Sequence, residues 1–393
     1  MKRSIEFMLT AGPVEYSDRV RAALGSQLLF DYSEPFFELF RDTQEKFKRF
    51  FKTTNDIVMM QGEALLGLEA ISVCGLDEGD VVINIESGHY GEGNRYFVEK
   101  YGGKAIPVET AWNTVVEPEQ LEPVLKAHPE ATILWLVHCE TPCGTQIDLE
   151  ALTKLGKAYG KLVFVDSVSC AGAVPVEVDE WGIDVVSVGS QKVLGAPPGL
   201  SALAISEAAW ERFRSVKKPN RYSYFSILDW KEMWLEKGYW PYTASVSDMA
   251  AFQAAVGEYL ELGHEEQFRR YAEVARVTRR AVEAMGLELW PDTEEHACNV
   301  VTAVTVPEGI DDALLRQRMV DQFGVLISGS LFNTPIYGKL VRIGHMGQTC
   351  SPSHALTAVT ALGHCLRELG RNVDVGAGVE AFLGALDPPE VAS

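Results

Sequence analysis

Short apolar segments rich in β-branched residues alternate with amphipathic segments between about residues 56 and 206. The amphipathic segments, such as "LEPVLKAHPE" and "DLEALTKLGKAYG", have the spacing of surface helices. The apolar runs predict strands: "DIVMM", "VVINI", "KAIPVE", "TILWLVH", "KLVFVD", "VVSVGS" and "SALAIS". Strands that alternate with helices are typical of a parallel sheet covered by helices. We therefore predict an α/β fold with a mostly parallel sheet.

The pattern changes after this region. Residues 221–247 are crowded with aromatic side chains, which we interpret as the lining of a subunit interface or an active site. A long helical stretch then runs from a cap at Ser247 to Gly286 and is broken near Gly263. Four further strands, in "LELW", "NVVTAVTVP", "GVLISGS" and "KLVRIGHMG", accompany two helices. We predict a large catalytic domain over residues 1–260, including an N-terminal arm, and a smaller α+β domain over residues 261–393.

Charge and hydropathy narrow the classes of function. The formal net charge is −20 and the pI is near 4.9, which excludes nucleic acid as a partner because phosphate backbones are bound by clustered Lys and Arg. No apolar run reaches the length of a signal peptide core or a membrane span. We expect a cytoplasmic protein that binds small molecules and neither nucleic acid nor a membrane.

Seven scattered cysteines favour reduced thiols over a disulfide framework. The stretch "HCETPC" places Cys139 and Cys143 at a Cys-x3-Cys spacing beside His138, a spacing that raises the question of zinc. No second pair of ligands follows at the spacing of a structural site. We therefore expect no metal.

Lys192 and Asp166 form the most informative pair in the sequence. Each follows a buried apolar strand, and the carboxyl ends of parallel strands are where ligands bind in such sheets. A lysine in a half-apolar site loses its proton easily enough to form a Schiff base with an aldehyde. A carboxylate beside it can pair with a protonated pyridine nitrogen. Taken singly, Lys192 reads as a loop lysine and Asp166 as a turn residue; together they indicate pyridoxal chemistry.

Several motifs resemble those of the class V aminotransferase family of fold-type I pyridoxal enzymes. They are "LTAGP" at residues 9–13, "HCETPCGTQID", "VFVDSVS", "GSQKVLGAPPGL" and "RIGHMG", and the resemblance extends to about residue 372. It implies a transaminase of that fold.

The resemblance also implies roles for individual residues. Lys192 becomes the Schiff-base lysine that moves the reacting proton, and Asp166 becomes the partner of the pyridine nitrogen. Thr141 is implied to bond near the ring, and Tyr90 to stack on its face, although a buried core tyrosine is the alternative. Arg342 matches the arginine that grips the α-carboxylate of amino and oxo acids, a task suited to its planar fork.

The segment from Gln61 to Leu65 departs from the phosphate cup of most of the family. The segment offers a carboxylate, Glu63, and a leucine, Leu65, where those members have hydroxyl-bearing residues and glycines, and Ala64 between them is a candidate cofactor contact. A carboxylate near a phosphate dianion costs about 1–4 kcal/mol. This segment resembles that of family members that use free pyridoxamine. Gln191, which precedes the lysine, is typical of phosphate-binding relatives and indicates the opposite. Alternatively, Glu63 turns to solvent or caps the helix while backbone amides bind phosphate.

The implied reaction moves an amino group from free pyridoxamine to pyruvate and gives pyridoxal and alanine. On that interpretation no cofactor is tightly required, because pyridoxal itself reacts with Lys192. The alternative is a conventional enzyme dependent on pyridoxal 5′-phosphate, of the alanine/serine–glyoxylate or pyruvate type. A cysteine desulfurase needs an exposed nucleophilic thiol, for which Cys350 is the candidate. A binding protein without catalysis leaves Lys192, Asp166 and Arg342 unexplained.

The family forms dimers in which the neighbour completes the site, so we expect a homodimer or homotetramer. Tyr242 and Thr243, in "WPYTASVS", are the residues implied to reach the partner's site, and aromatic packing at the interface is the alternative. Phe30 is a candidate substrate contact that stands where the similar members have a tyrosine. The loop 328–339 lacks their second active-site arginine and is longer.

Overall fold

The computed structural model describes residues 4–387. Two sheets organise this part of the chain, with a short two-stranded ribbon between them. The strands are β1 (Phe7–Leu9), β2 (Asp56–Gln61), β3 (Val81–Glu86), β4 (Lys104–Glu109), β5 (Ile133–Val137), β6 (Cys139–Glu140), β7 (Thr145–Gln146), β8 (Leu162–Asp166), β9 (Val185–Gly189), β10 (Leu200–Ile205), β11 (Val301–Thr305), β12 (Val325–Gly329) and β13 (Leu340–Gly344).

The larger sheet has seven strands in the order β2-β10-β9-β8-β5-β3-β4. Only β10 runs antiparallel to its neighbours, so β2, β3, β4, β5, β8 and β9 all point the same way. Their carboxyl ends meet at one edge, where the loops that carry Glu63, Tyr90, Asp166 and Lys192 begin. The predicted α/β fold with a mostly parallel sheet is confirmed.

Helices cover both faces of this sheet and continue into the smaller part. They are α1 (Asp18–Leu24), α2 (Glu34–Phe51), α3 (Ala64–Gly75), α4 (His89–Lys100), α5 (Pro118–Ala127), α6 (Leu149–Ala158), α7 (Val178–Trp181), α8 (Glu207–Ser215), α9 (Ile227–Asp229), α10 (Val246–Leu262), α11 (His264–Ala284), α12 (Asp312–Phe323), α13 (Pro352–Glu368) and α14 (Val375–Gly384). A π-helical turn, Trp230–Leu235, extends α9. Within residues 4–387 no helix is both long and apolar enough to cross a bilayer.

The central strands are buried because helices pack on both of their faces. Trp135 on β5 and Phe164 on β8 are fully buried and lie edge to face, with ring centroids 5.9 Å apart. Burying a large aromatic side chain contributes about 1.5–3 kcal/mol of transfer free energy. This packing holds the strand ends in place and with them the loops of the site.

The smaller sheet has the order β1-β12-β13-β11. The N-terminal strand β1 pairs in parallel with β12, so a segment from the start of the chain joins the sheet of the C-terminal part. The boundary at residue 260 stays a prediction, but this pairing ties the N-terminal arm to the smaller sheet. The arm then has to cross to the larger sheet, and it does so at the site.

Two predicted elements differ from the structure. "LELW" forms a single bridge between Leu289 and Val304 instead of a strand, because in the described part of the chain only two backbone hydrogen bonds, Trp290 N–H to the Ala303 carbonyl and Thr305 N–H to the Glu288 carbonyl, join it to β11. The long helix is broken at Gly263, as predicted, where the φ of +85° favours glycine. It begins at Val246 after Ser245, whose side-chain hydroxyl bonds Asp248 instead of capping the helix backbone.

Candidate active site

The end of β2 turns sharply into α3 and presents Glu63. Gly62 has a φ of +142°, and an added Cβ there would meet Leu66 at 2.5 Å, so the turn requires glycine. Glu63 is exposed and is the N-cap residue of α3, yet among described residues its side chain caps no backbone N–H. Its Oε2 instead accepts a hydrogen bond of 2.9 Å from Gln191 Nε2. The carboxylate is therefore directed across the start of the helix.

Gln191 is buried and lies directly before Lys192. Its Oε1 has no hydrogen-bond partner within residues 4–387 and is closed off from solvent. An added Cβ on Gly189 would lie 2.7 Å from this oxygen, so the absence of a side chain there makes room for the amide. Because a carboxylate only accepts hydrogen bonds, Glu63 fixes which end of the amide faces it.

Asp166 and Lys192 meet at the adjoining ends of β8 and β9. Asp166 is 5% exposed and accepts a 3.0 Å hydrogen bond from the Val168 N–H. Burial raises the pKa of Asp166 to about 6, against the opposing effects of the Val168 N–H and the Lys192 charge. Burial and then the positive charge of Arg342 lower the pKa of Lys192 to about 8. The lysine is thus poised to exchange a proton near neutral pH.

Tyr90 stands at the start of α4, opposite the two strand ends. The buried Glu140 carboxylate accepts hydrogen bonds from the N–H groups of Tyr90 (3.0 Å) and Gly91 (2.7 Å) and thereby caps the helix. Burial raises the pKa of Glu140 to about 8 although both N–H groups lower it. The neighbouring Thr141 is fully buried, and its Oγ1 has no hydrogen-bond partner among the described residues.

Arg342 lies in the middle of β13, on the smaller sheet, and is 6% exposed. Its guanidinium donates to the carbonyl oxygen of Gly329 at 3.0 and 2.6 Å and to that of Thr141 at 3.1 Å. No carboxylate within residues 4–387 forms an ion pair with it. A buried cation held only by carbonyl oxygens retains its full charge for an anionic ligand.

A cavity of about 410 Å³ opens between these groups. Its walls bring together six of the predicted site residues: Glu63, Ala64, Tyr90, Asp166, Gln191 and Lys192. Thr141 and Arg342 are connected to it through the hydrogen bond between them and through the neighbouring Tyr90. The far wall, between α3 and α4, is apolar and includes Leu68 and Phe97. The volume and the few converging polar groups are those of a small-molecule site.

Besides Thr141 and Arg342, three predicted residues lie outside the lining of this cavity in the single chain. Phe30 is 69% exposed and contacts Tyr32, with ring centroids 5.8 Å apart. Thr243 is exposed. The Tyr242 hydroxyl accepts a 3.0 Å hydrogen bond from Trp230 Nε1. The roles of Tyr242 and Thr243 at a partner's site, and of Phe30 as a substrate contact, stay predictions.

Sequence reasoning missed two groups that hold the site residues in place, the carbonyl oxygen of Ala11 and the side-chain carboxylate of Glu140. The carbonyl oxygen of Ala11 accepts a 2.8 Å hydrogen bond from Lys192 Nζ, although 181 residues separate them. Glu140 anchors the helix that carries Tyr90, and its position in "ETP" beside Thr141 was the available signal. The contact of Ala11 depends on where the N-terminal arm crosses the molecule, which no local pattern indicates.

The cysteines are buried and chemically quiet. Cys350 is fully buried, and burial raises the pKa of its thiol to about 12, so the thiolate that a desulfurase needs is disfavoured. Cys139 and Cys143 are buried as well. In the part of the chain that the structure describes, no three His, Cys, Asp or Glu side chains are arranged to hold a metal ion.

The site thus groups a buried carboxylate and a buried lysine at the carboxyl edge of a mostly parallel sheet, beside a buried arginine. The profile of the class V aminotransferase family matches residues 12–339, and this chain belongs to that family. It is therefore an aminotransferase of fold type I.

Several proteins are similar to this chain over nearly its whole length. Pyridoxamine–pyruvate transaminase from Mesorhizobium japonicum is 37% identical over 96% of both chains. The crystal structure of pyridoxamine–pyruvate aminotransferase from Mesorhizobium loti superposes with a TM-score of 0.94, at 36% identity over 97% of both chains. Ureidoglycine–glyoxylate aminotransferase from Bacillus subtilis gives a TM-score of 0.92 at 28% identity, over 96% of this chain and 97% of its own.

Family membership corrects one expectation from the sequence. The expectation that no cofactor is tightly required is wrong, because class V enzymes of fold type I depend on pyridoxal 5′-phosphate. The residues suit the ring of that cofactor because Asp166 and Lys192 line the same cavity: Asp166 would pair with the pyridine nitrogen, Lys192 would bind the aldehyde, and the Thr141 hydroxyl would bond a ring substituent. At the other end, backbone N–H groups at the start of α3 suit a phosphate, while Glu63 opposes one.

Proposed function

We propose that this aminotransferase moves an amino group from pyridoxamine to pyruvate and produces pyridoxal and alanine. The observation that carries the proposal is the Glu63 carboxylate, held by Gln191 at the start of α3. The hydroxymethyl group of pyridoxamine can donate a hydrogen bond to this carboxylate, which favours pyridoxamine as the amino donor. The similarity to a pyridoxamine–pyruvate transaminase over nearly the whole chain supports the same donor and acceptor.

The residues of the site divide the work of such a transfer. A bound pyridoxal ring supplies an electron sink. Asp166, when charged, pairs with the protonated ring nitrogen and keeps it protonated, and Tyr90 covers one face of the cavity. Lys192 can accept and return a proton near neutral pH. Arg342 binds the carboxylate of the oxo acid through its planar fork.

A second candidate has its own support. Gln191 can also donate to a phosphate, and the backbone amides of α3 form an anion site. A conventional pyridoxal-phosphate enzyme that uses an amino acid and glyoxylate needs both features, and the similar Bacillus subtilis protein is named for glyoxylate. In that case Glu63 must turn away from the phosphate and break its hydrogen bond to Gln191.

The deciding experiment compares two substrate pairs. Purified protein is mixed with pyridoxamine and pyruvate, and pyridoxal is followed by absorbance while alanine is followed by chromatography. A parallel reaction contains alanine or serine, glyoxylate and pyridoxal 5′-phosphate. We expect the larger kcat/KM for pyridoxamine and pyruvate. Turnover in the reaction with the amino acid and glyoxylate, and none with pyridoxamine and pyruvate, would reject the proposal in favour of the second candidate.

We also propose that the protein acts as a homodimer. Large aromatic side chains are exposed on the N-terminal arm and on the segment before α10, including Phe30 (69%), Tyr222 (95%) and Tyr239 (63%). Such a concentration of exposed aromatic surface is typical of a subunit interface. Light scattering during size-exclusion chromatography should give about twice the 43.3 kDa chain mass, or four times for a tetramer. A monomer would contradict this proposal.

A further inference from the structure

The N-terminal arm crosses from the smaller sheet to the larger one directly beside the catalytic lysine. After β1 the backbone N–H of Ala11 donates a 3.0 Å hydrogen bond to Ser328 Oγ on β12. The carbonyl oxygen of Thr10 lies so close to Gly344 on β13 that an added Cβ there would be 2.0 Å away. Backbone packs on backbone here, so the smaller sheet fixes the arm tightly.

The opposite side of the same segment contacts Lys192. The Ala11 carbonyl oxygen accepts a hydrogen bond of 2.8 Å from Lys192 Nζ. A Cβ added at Gly12 would lie 2.6 Å from Lys192 Cδ and 2.7 Å from Nζ, well inside van der Waals contact. Gly12 also has a φ of +98°, which disfavours other residues. A side chain at position 12 would therefore strain the backbone and push the end of the Lys192 side chain out of its present place.

This contact bears on the direction of the lysine's lone pair. A carbonyl oxygen accepts one N–H from either the charged or the neutral amine, so the contact persists after the proton has left. With one N–H anchored, the rotation of the amine about its last bond is restricted. The lone pair of the neutral amine then has few directions available, and Lys192 lines the cavity together with Asp166.

We propose that the segment Ala11–Gly12 is the positioning element of the Lys192 amine. The Ala11 carbonyl orients the nitrogen, and the bare Cα of Gly12 leaves the space that the side chain needs. The inference rests on the proposed role of Lys192 in the reaction. Ser328 pairs in register with Arg342 across β12 and β13, so one strand pair supports both the amine and the site for the oxo acid carboxylate.

The test measures the attachment of pyridoxal to Lys192 and compares Gly12→Ala with a matched glycine. The lysine nitrogen attacks the aldehyde carbon, a C–N bond forms, and the aldehyde oxygen leaves as water. Borohydride then makes the bond permanent, and mass spectrometry of the peptide gives the rate. Gly160→Ala is the control, since its φ of +69° imposes similar strain while no described atom lies within 4 Å of the added Cβ.

We expect Gly12→Ala to slow attachment by about tenfold to a hundredfold, because a misplaced nucleophile loses the reactive geometry. The KM for pyruvate should change little, since Arg342 is untouched, so the loss should appear in kcat. Gly160→Ala should react at the wild-type rate. Equal attachment rates for folded Gly12→Ala and Gly160→Ala would overturn the inference.

A second variant decides the matter if Gly12→Ala does not fold. Ser328→Ala removes the hydrogen bond that holds the Ala11 N–H, and attachment should slow about threefold as the segment loosens. An unchanged rate in Ser328→Ala would then overturn the inference. Wild-type protein that fails to attach pyridoxal at Lys192 would instead reject the proposed function, so the two failures are distinguishable.

Discussion

The two ends of the cavity are built differently. At the inner end, Asp166 and Lys192 are 5% and 8% exposed, and both are held by backbone groups, the Val168 N–H and the Ala11 carbonyl. At the outer end, Glu63 is exposed and is held by one side chain, Gln191. The inner groups are fixed by the fold itself, whereas the outer pair depends on one hydrogen bond between replaceable side chains.

The two ends of the cavity differ in how far their residues depend on the fold. The strand ends that carry Asp166 and Lys192 belong to the central sheet, so any chain with this fold can place an acid and an amine there. The identity of the group at the start of α3 changes without disturbing the sheet. We infer that the inner end sets the reaction type and the outer end sets which ring ligand is accepted.

The largest effect should come from removing the inner amine. Lys192→Ala should lower turnover by on the order of a thousandfold or more, because the nucleophile and the proton-transfer group are lost together. Lys161→Ala is the control: that buried lysine donates to the carbonyl oxygens of His128, Pro129 and Ala131, away from the cavity. It should lower thermal stability and still attach pyridoxal. Substantial transamination by Lys192→Ala would refute the inner end as the reaction centre.

The second effect concerns the inner carboxylate. Asp166→Asn keeps the shape but removes the negative charge that stabilises a protonated ring nitrogen, and kcat should fall by about a hundredfold. Attachment of pyridoxal to Lys192 should survive, since the amine remains. Steady-state kinetics measures the fall in kcat, and borohydride trapping measures whether pyridoxal still attaches to Lys192. A variant with normal kcat would show that the charge of Asp166 is not used.

Much of the fold and of the inner end could be predicted from the sequence. The alternating runs before residue 206 indicated the parallel sheet, and Asp166 and Lys192 stood at recognisable strand ends. The contact of the N-terminal arm with Lys192 could not be predicted, because it joins residues 181 positions apart through a strand of the smaller sheet. "LELW" was predicted as a strand because its composition is strand-like. Whether such a segment forms a strand depends on its pairing with another part of the chain, which composition does not show.

The outer end was predicted in part. Glu63 and Gln191 were each recognised, yet with opposite implications for phosphate. The structure joins them by a hydrogen bond that uses one of the two N–H donors of the Gln191 amide and leaves the other available. Side-chain pairing across 128 residues leaves no local pattern to read.

The third effect concerns Arg342, which we propose binds the oxo acid. Arg342→Lys removes the planar fork while keeping the charge, and the KM for pyruvate should rise about tenfold to thirtyfold. Arg316→Lys is the matched control, because Arg316 is already paired with Asp312 at 2.8 Å. Initial rates over a range of pyruvate concentrations give both values. Equal KM values for pyruvate in Arg342→Lys and Arg316→Lys would show that Arg342 does not bind the oxo acid.

The fourth effect tests the outer pair directly. Glu63→Gln removes the charge with little change in size, so the KM for pyridoxamine should rise and that for pyridoxamine 5′-phosphate should fall, for a combined change of about tenfold. Gln191→Leu should shift the same ratio in the same direction, because Glu63 is then free to turn away. The double variant should add little to either single change. If the ratio of the KM values for pyridoxamine and pyridoxamine 5′-phosphate is unaltered in the two single variants and the double variant, Glu63 and Gln191 do not discriminate between these ligands.

The smallest effect is a pH dependence that belongs to the inner end alone. With the pKa of Lys192 lowered to about 8, the neutral fraction of its amine rises from roughly a tenth at pH 7 to roughly nine tenths at pH 9. Attachment of pyridoxal should therefore accelerate through a midpoint near pH 8, because only the neutral amine has a lone pair to donate. Glu63→Gln should leave this midpoint nearly unchanged, since burial and Arg342 are the main causes of the lowered pKa. A midpoint near the ordinary lysine value would mean that the amine is not buried in solution. A large shift on changing Glu63 would instead show that the two ends act as one electrostatic unit.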